Sequence, residues 1–544
     1  MADSADVVVV GAGIAGLVAT LELLEHGRDV LLIDRCKPEE VGGLAREAFG
    51  GMFMADTSEQ RRSRIPDSVE LALEDWMRMA DFDESDEWPR RWAEQYVARA
   101  RDEVGGWLKS HGVRFFPVVN WAERGVHGDG NSVPRFHLTW GCGKALVDCV
   151  WGSIQSHPRR GALDVRFGTT VKRLATDGAA VEGVILEDGS TISASAVVVA
   201  AGGVGGNLDI VRKYWPDDLG PPPDEILMGS HYYADGAMHE EVERIGGNVT
   251  HLSRMWNYAD AVRHPRPERP LHGLKLIPPR SGLVVDPTGK RYGPDALIPT
   301  FDARYALERM CEDDRKYYWM ICNWKIARRE LDVSGSQHNP SIREKNLPRF
   351  LLSILLGKPV LVQHFVDNCP DVVTADSLPE LAQRMAEVTD DGALDAAQME
   401  AEVRRYDATL ARGKALWNDD QIRRIAQLRN WRGDRLRTAK FQPITDPDAG
   451  PLMAIRMTVM ARKSLGGIQT DLDSRVLRPD GSAIDALYAV GEAAGFGGGG
   501  LHGKKSLEGT FLGGCVFTGR LAAAAIAQVS SPTGSGGAAA ADRQ

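Results

Sequence analysis

A glycine-rich hexapeptide near the start of the chain limits most strongly which fold this sequence can adopt. The residues GAGIAG (11–16) follow four consecutive valines, Val7 to Val10, and precede LVATLELLEHG, a stretch of good helix formers. A second apolar run, residues 30–33, then leads to Asp34. Strand, glycine turn, helix and strand within about 30 residues make one βαβ unit, and this context is the one in which the motif binds a dinucleotide.

Each glycine of the motif has its own physical reason. Gly11 permits the tight turn, Gly13 lets a pyrophosphate approach the backbone, and Gly16 lets the helix pack closely on the strand. The first helical residues, Ile14 and Ala15, offer free N–H groups and the positive end of the helix dipole to phosphate. The alternative is a glycine turn without a ligand, which does not explain the accompanying strand, helix and acidic residue.

Asp34 lies about 20 residues after the glycines, where a carboxylate accepts hydrogen bonds from ribose hydroxyls. Its charge disfavours a 2′-phosphate on that ribose. We include its neighbour Arg35 in the predicted cofactor site. The motif alone does not distinguish FAD from NAD.

Composition excludes several classes of protein. The net charge of −10 over 544 residues argues against a nucleic-acid partner, because such partners need a basic surface. The seven cysteines form no C-x-x-C pair, which indicates a reducing compartment and predicts neither a disulfide framework nor a metal site. Without an apolar run of roughly 20 residues or a signal-peptide pattern, we predict a cytoplasmic protein with no integral membrane segment.

Three further glycine-containing segments follow the first motif. They are GGLAREAFGG (42–51), AVVVAAGGVGGN (196–207) and ALYAVGEAAGFGGGGLHGKKSLEGTFLGG (486–514). Together the four motifs resemble the FAD-binding segments of the fumarate reductase and succinate dehydrogenase flavoprotein superfamily, which includes the 3-ketosteroid dehydrogenases. The last segment is most similar to that of actinobacterial FAD-binding dehydrogenases related to the ketosteroid enzymes.

The resemblance implies contacts with FAD along nearly the whole chain. The residues implied along the pyrophosphate and flavin are Gly43, Leu44, Ala45, Gly50 and Gly51. Those implied along the rest of the dinucleotide are Val171 at the adenine, Ala201, Gly202 and Asn207 beside the dinucleotide, and Glu492 at the ribityl chain. Because histidine is absent from residues 42–54, where relatives with covalent FAD carry it, the resemblance implies non-covalent FAD.

The resemblance also implies that Thr510, Phe511 and Leu512 begin the last helix beneath the flavin. A helix N-terminus at that place stabilises the negative charge that builds on the flavin during reduction. The alternative, a core helix made of small residues, is compatible with this role.

The chain is too long for one ordinary core. Alternating strand-like runs fill residues 163–199, residues 303–430 look mainly helical, and a strand–turn pattern returns near Leu465. We therefore predict an α/β fold in which an α+β cap domain is inserted into a discontinuous, Rossmann-type FAD-binding domain. The predicted boundaries are 1–215 and 455–530 for the FAD-binding domain, 216–454 for the cap and 531–544 for a flexible tail.

The loop LHGKKSLEG (501–509) is the expected source of the acid/base group that dehydrogenation beside a carbonyl requires. In a gap-free alignment Lys505 takes the place of a tyrosine of ketosteroid dehydrogenases, and Ser506 that of an arginine of fumarate reductases. We expect Lys505, with Lys504 beside it, to be buried over the flavin with a pKa lowered by desolvation and like charge. The alternative is that both lysines are solvated surface charges.

Three further residues are candidates for the chemistry. His502 lies in the same loop, with a satisfied loop histidine as the alternative. Lys463 is near the position where fumarate reductases bind a substrate carboxylate, and Tyr292 lies in a turn, GKRYGPD (289–295), that resembles the GKRF-x-NE turn of these families. The aromatic cluster at 317–319 is interpreted first as the core of a helix.

The resemblance implies an FAD-dependent oxidoreductase that transfers hydride between the flavin and a CH–CH or C=C bond next to a carbonyl. Its small-molecule substrate would be an apolar, steroid-like ketone, and its electron acceptor is not indicated. One alternative is a fumarate reductase-like enzyme for a small unsaturated acid. Another is a non-catalytic flavin-binding protein, because the family's catalytic residues are not retained. An NAD(P)H-dependent flavin reductase would need a second glycine motif, and AGGVGGNLDI (201–210) lacks its third glycine.

Overall fold

The first sheet of the protein combines strands from both ends of the chain. The computed structural model describes residues 4–298 and 300–529. Strand Ser4–Val10 lies between Val30–Ile33 and Thr191–Val199 and is parallel to both. Strand Ala483–Ala489 adds in parallel to Thr191–Val199. The C-terminal stretch therefore completes the sheet that the N-terminal βαβ unit begins, which confirms the predicted Rossmann-type fold.

Four more strands extend this sheet. Val30–Ile33 pairs in parallel with the next strand outward, and an antiparallel meander is attached to Thr191–Val199. The added strands are Leu163–Arg166, Val171–Thr176, Val181–Leu186 and Arg475–Leu477. The valines of Ser4–Val10 are buried, as expected of a central parallel strand covered on both faces.

A second, mostly antiparallel sheet is built from the middle of the chain. Its longest strand, Leu452–Ser464, pairs with Met255–Arg263 and with Tyr317–Asn323. The other strands are Leu227–Met228, Gly273–Ile277, Leu283–Val285, Asp332–Val333 and Val372–Ala375. Leu452–Ser464 runs across the predicted boundary at residue 455 between the cap and the FAD-binding domain. Residues 455–464, predicted to belong to the FAD-binding domain, therefore pair in the second sheet. The division into domains otherwise stays a prediction.

Helices cover both sheets. The α-helices of six or more residues are Ile14–Glu25, Val69–Ala80, Glu87–Arg99, Cys142–Gln155, Leu208–Lys213, Ala237–Arg244, Ala303–Cys311, Trp324–Glu330, Leu347–Leu356, Pro359–Asn368, Leu378–Thr389, Ala396–Ala411, Asp420–Leu428 and Thr510–Gln528. A π-helix, Ala100–Gly106, continues from Glu87–Arg99. Two short ribbons, Gly51–Phe53 with Phe136–Leu138 and Val249–Thr250 with Gly467–Ile468, complete the β-strands of the described residues.

The helical interpretation of residues 317–319 is wrong. Tyr317–Asn323 is a strand of the second sheet, and every one of its residues is buried. A short, continuous apolar run fits a strand buried on both faces as well as a helix core, and here the sheet partners decide the outcome.

The last helix, Thr510–Gln528, is long and apolar enough to cross a membrane, and most of it is buried inside the structure. It packs on the first helix, Ile14–Glu25, at Gly519, where a Cβ would lie 2.7 Å from the carbonyl oxygen of Ala15. Small residues let these two helices approach closely, so the apolar character of the last helix is that of a core helix. The predicted tail at 531–544 lies outside the described residues.

Candidate active site

A cavity of about 360 Å³ runs from the glycine motif to the beginning of the last helix. Seventeen of the predicted cofactor residues line it: Gly11, Gly13, Ile14, Ala15, Asp34, Arg35, Gly43, Leu44, Ala45, Gly50, Gly51, Val171, Ala201, Gly202, Glu492, Phe511 and Leu512. The cavity therefore brings together residues from four separate sequence motifs.

The glycine motif has the backbone geometry that its three glycines predict. Gly11 has a φ of +111°, and a Cβ there would lie 2.4 Å from the carbonyl oxygen of Ala200. A Cβ on Gly16 would lie 1.9 Å from the carbonyl oxygen of Gly11, so this helix position tolerates no side chain. Gly16 is buried behind the cavity wall. Around Gly13, by contrast, the space is open to 4 Å, which leaves room for a pyrophosphate.

Both helices that point at the cavity begin without a side-chain cap. Gly13 precedes Ile14–Glu25 and Gly509 precedes Thr510–Gln528, and neither first turn carries an acidic residue. Their free N–H groups and positive dipole ends therefore remain available to an anionic group. Two uncapped helix ends at opposite parts of one cavity fit the pyrophosphate and the flavin of FAD.

The acidic residue after the second strand is fixed by backbone hydrogen bonds. Asp34 accepts from the N–H of Ala12 at 2.5 Å and from the N–H of Cys36 at 2.8 Å. Arg35 pairs with Asp235 at 2.8 Å and lies over the ring of Tyr233. The carboxylate of Asp34 is thus held at the cavity wall, and Arg35 is held beside it by its own partner.

Besides Gly16, two predicted cofactor residues do not line the cavity. Asn207 caps the helix Leu208–Lys213, because its side chain accepts from the N–H groups of Asp209 and Ile210. Thr510 is buried and donates its hydroxyl to the carbonyl oxygen of Leu507 at 2.7 Å. Both side chains therefore serve helix ends in this structure.

Glu492 lines the cavity from the loop after the last parallel strand. Its carboxylate accepts from the N–H of Ser464 at 3.1 Å. Burial raises the pKa of Glu492, although this hydrogen bond and the charge of Lys463 oppose the rise. A carboxyl group that gains a proton easily can both donate hydrogen bonds to hydroxyl groups and accept them, so Glu492 suits the hydroxyl groups of a ribityl chain.

A cluster of charged and phenolic side chains lies at the end of the cavity beside the last helix. The Tyr258 hydroxyl donates to Glu508 at 2.6 Å, and Lys463 Nζ donates to the Tyr258 oxygen at 3.3 Å. Lys275 Nζ lies 3.5 Å from the same Glu508 oxygen, and Trp256 Nε1 donates to it at 3.2 Å. We call these five residues the Glu508 cluster.

The second sheet places most of the Glu508 cluster. Lys463 and Trp256 are paired directly across the strands Leu452–Ser464 and Met255–Arg263, so their side chains lie on one face of the sheet. Tyr258 follows two residues after Trp256 and returns to that face. Glu508 comes from the loop before the last helix. In the first turn of that helix, the ring of Phe511 lies 3.8 Å below Lys463 Nζ.

Burial sets the protonation preferences in the Glu508 cluster. Burial lowers the pKa of Lys463, and the nearby charges of Arg462 and Lys275 lower it further against the opposing effect of Glu508. Burial and the carboxylate of Glu508 together raise the pKa of Tyr258, so the phenol stays protonated.

Glu508 itself stays ionised. Burial opposes its charge, but the charges of Lys275 and Lys463 and the hydrogen bonds from Tyr258 and Trp256 outweigh burial and lower its pKa. The cluster therefore joins a stable carboxylate, a neutral phenol and a lysine that loses its proton more readily than a surface lysine does.

The structure does not bring Lys504 and Lys505 into the cavity. The backbone N–H of Lys504 donates to the carbonyl oxygen of Ala80 at 2.7 Å, which fixes the loop on the helix Val69–Ala80. Lys504 Nζ lies 2.7 Å from Asp83, and this hydrogen bond raises its pKa, opposite to the expected direction. Lys505 Nζ lies 3.9 Å from Glu308.

His502 and Tyr292 also lie outside the cavity. His502 is fully buried between the rings of Trp76 and Phe511, and burial lowers its pKa to about 3. Tyr292 packs edge-on against Tyr318 in the second sheet's core. Of the five predicted catalytic residues, only Lys463 lines the cavity.

Sequence reasoning missed Tyr258, Lys275 and Trp256. They lie on strands with no motif of their own, and Tyr258 is 250 residues away from Glu508 along the chain. The loop 501–509 does contribute to the cavity, but through its acidic residue, Glu508, rather than through its lysines.

Comparisons with known proteins identify the family of this chain. The sequence profile of the FAD binding domain family matches residues 6–512. A KsdD-like steroid dehydrogenase of Mycolicibacterium smegmatis is 44% identical over 537 residues, which cover 94% of this chain and 96% of the relative.

Two solved structures share the fold. A 3-ketosteroid Δ1-dehydrogenase from Sterolibacterium denitrificans, solved with 1,4-androstadiene-3,17-dione, has a TM-score of 0.70 at 17% identity and covers 96% of this chain and 99% of that one. The open conformation of a flavocytochrome c3 fumarate reductase has a TM-score of 0.66 at 20% identity, over 96% of this chain and 78% of that one. The chain therefore belongs to the FAD binding domain family and is an FAD-dependent oxidoreductase that acts on CH–CH groups.

Proposed function

We propose that this enzyme transfers hydride between FAD and a CH–CH bond next to the carbonyl of an apolar, steroid-like ketone, in the cytoplasm. The observation that carries the proposal is the Glu508 cluster, which places a proton-exchanging lysine at the cavity wall beside the last helix. The family relative from Mycolicibacterium smegmatis, a steroid dehydrogenase matched over nearly its full length, supports the choice of substrate class.

When bound, FAD supplies the two-electron acceptor or donor, and the chain's own residues manage the proton. In the oxidative direction, neutral Lys463 takes a proton from the carbon next to the carbonyl. The charge on the resulting ammonium is balanced through Tyr258 by the carboxylate of Glu508. In the reductive direction the ammonium of Lys463 returns the proton, and a positioned acid/base group of this kind is worth about 10²–10⁴-fold in rate.

The cavity beside the Glu508 cluster suits a flat, apolar substrate. Its walls there include Trp121, Phe136, Leu274, Ile277 and Phe496. Aromatic and aliphatic walls with a few polar groups at one end are typical of sites for apolar small molecules. The polar end coincides with the proposed proton-exchanging residue, so a single ketone group would be oriented there.

A second candidate function, reduction of a small unsaturated acid, is favoured by the arginines of the same cavity. Arg437 and Arg462 both line it together with Lys463. Guanidinium groups bind carboxylates well. The apolar walls favour the ketone over the acid as substrate.

Anaerobic mixing of the holoenzyme with a panel of 3-ketosteroids tests the substrate class. Loss of the oxidised flavin absorbance is expected with at least one ketosteroid. Reoxidation of photoreduced flavin by fumarate, with no response to any ketosteroid in either direction, would favour the second candidate instead.

Replacement of single lysines tests the proton-exchanging role. Lys463→Met should keep FAD bound and slow flavin reduction by about 10²–10⁴-fold. Lys505→Met is the matched control, because Lys505 lies outside the cavity, and it should reduce at nearly the native rate. If Lys505→Met is slow and Lys463→Met is native-like, the assignment to the Glu508 cluster is wrong.

A further inference from the structure

A helical hairpin on the surface exposes an unusual amount of apolar side chain. It consists of the helices Leu347–Leu356 and Pro359–Asn368, and we call it the apolar hairpin. Its most exposed apolar residues are Leu347, Leu351, Leu352, Leu355, Leu356 and Val360, with exposures from 53% to 82%. The first helix buries none of its residues. Contiguous apolar surface of this kind marks an interaction site.

The apolar hairpin is firmly attached to the rest of the protein. The ring of Phe350 packs against Phe116 at 5.3 Å and against Trp140 at 5.9 Å. Arg329 donates to the carbonyl oxygen of Leu355 at 3.3 Å and also to that of Ile354, at the end of the first helix. The exposed leucines therefore point away from the protein, because the opposite side of the first helix packs against it.

Positive charge surrounds the exposed leucines. Residues 340–360 contain four cations, Arg343, Lys345, Arg349 and Lys358, and one acidic residue, Glu344. Arg343 pairs with Glu344, and Lys358 pairs with Asp332. Lys345 and Arg349 are exposed and form no ion pair with the described residues. This local excess stands out in a chain of net charge −10.

We propose that the apolar hairpin docks the enzyme on the surface of a bilayer that contains anionic lipids. Apolar side chains rimmed by lysine and arginine are the pattern of a segment that lies in the membrane interface. Each ten-residue helix is about 15 Å long, half of the roughly 30 Å hydrocarbon core, and the two meet with a bend of 76°. The hairpin is thus suited to shallow insertion rather than to spanning.

The positive charge around the apolar hairpin favours an anionic lipid surface, rather than a second copy of the chain, as its binding partner. In a twofold dimer the same patch would face itself, so Lys345 and Arg349 of both copies would meet at the rim. An anionic lipid surface would instead neutralise them and overcome the repulsion from the negative protein.

The hairpin also lies next to one end of the cavity. Gln337 and His338, about ten residues before the hairpin along the chain, line the cavity, and the ring of His338 lies 6.5 Å from that of His364 on the second helix. An apolar molecule dissolved in the bilayer would therefore have a short route into the cavity. The docking itself does not depend on which substrate the enzyme uses.

Flotation of the holoenzyme with vesicles tests the proposal. Vesicles of phosphatidylcholine with phosphatidylglycerol should carry the protein, and vesicles of phosphatidylcholine alone should carry much less. The double variant Lys345→Gln/Arg349→Gln should weaken binding about 25-fold at low salt, from about fivefold per cation. The double variant Leu352→Ser/Leu355→Ser should weaken it about tenfold or more on both kinds of vesicle.

Leu416→Ser is the matched control, because Leu416 is 66% exposed but lies outside the hairpin. It should bind vesicles like the native chain, and all variants should keep their flavin absorbance as proof of folding. The proposal is overturned if the native chain binds neither kind of vesicle, or if Leu352→Ser/Leu355→Ser binds as well as the native chain. A dimer in light scattering that this double variant converts to a monomer, without vesicle binding, would assign the hairpin to self-association instead.

Discussion

Replacing Glu508 by glutamine is expected to shift the pH dependence of flavin reduction to lower pH. Glutamine keeps the shape and an acceptor for the Tyr258 hydroxyl but removes the negative charge. In the native chain that charge favours the ammonium form of Lys463 and so opposes the effect of burial on its pKa. Its removal must lower the pKa of Lys463 further.

The size of the shift follows from the geometry of the Glu508 cluster. Glu508 Oε1 and Lys463 Nζ contact the same Tyr258 oxygen at 2.6 and 3.3 Å, so they are separated by about 6 Å at most. Two unit charges at about 6 Å in an effective dielectric of about 20 interact by about 3 kcal/mol. One pKa unit corresponds to about 1.4 kcal/mol, so a shift of roughly one to two units is expected once screening is included.

The assay is the rate of anaerobic flavin reduction by a saturating ketosteroid as a function of pH. If neutral Lys463 is the base, the native rate rises with pH through the pKa of Lys463. In Glu508→Gln this rising limb should lie roughly one to two pH units lower. Glu308→Gln, which removes a carboxylate next to Lys505, is the control and should leave the limb in place. A limb that stays fixed or moves to higher pH in Glu508→Gln would refute the reasoning.

Three further outcomes are expected. Asp34→Ala should weaken FAD binding by about 1–3 kcal/mol in titrations, the cost of losing a charged hydrogen-bond partner, whereas Asp164→Ala, within the neighbouring strand Leu163–Arg166 and outside the cavity, should not. Acid precipitation should release intact FAD into the supernatant, and flavin that stays with the polypeptide would contradict non-covalent binding. His502 is buried with a pKa of about 3 in the folded chain. Below about pH 6.5 the unfolded chain therefore binds a proton at this histidine and the folded chain does not. The free energy of unfolding should fall by about 2 kcal/mol between neutral pH and pH 5. Urea unfolding of His502→Phe should show a smaller loss between neutral and acidic pH than the native chain.

Local features of this fold could be predicted from the sequence because their causes are local. The glycine motif needs only its own backbone and the adjoining strand, as the close approach of Gly16 to Gly11 shows. The cofactor cavity could be predicted in outline because its sequence motifs lie where strands of the first sheet end or where helices that line the cavity begin.

The proton-exchanging cluster could not be predicted in the same way. Tyr258 acquires its role because its strand, Met255–Arg263, pairs with Leu452–Ser464, and Lys275 acquires its role because Gly273–Ile277 pairs with Met255–Arg263. No short sequence pattern predicts either pairing. In the loop before the last helix, the backbone N–H of Lys504 donates to the carbonyl oxygen of Ala80, and the side chains of Lys504 and Lys505 pair with carboxylates outside the cavity, whereas Glu508 lines the cavity. An alignment over a few residues contains no information about such an anchor.

The most direct test of the proposed active site is a crystal structure of the FAD-loaded enzyme with a 3-ketosteroid. We expect the ketosteroid to lie in the cavity with the carbon next to its carbonyl about 3–3.5 Å from Nζ of Lys463, the separation of atoms poised to react. A ketosteroid bound against Lys505, or outside the cavity lined by the Glu508 cluster, would contradict it.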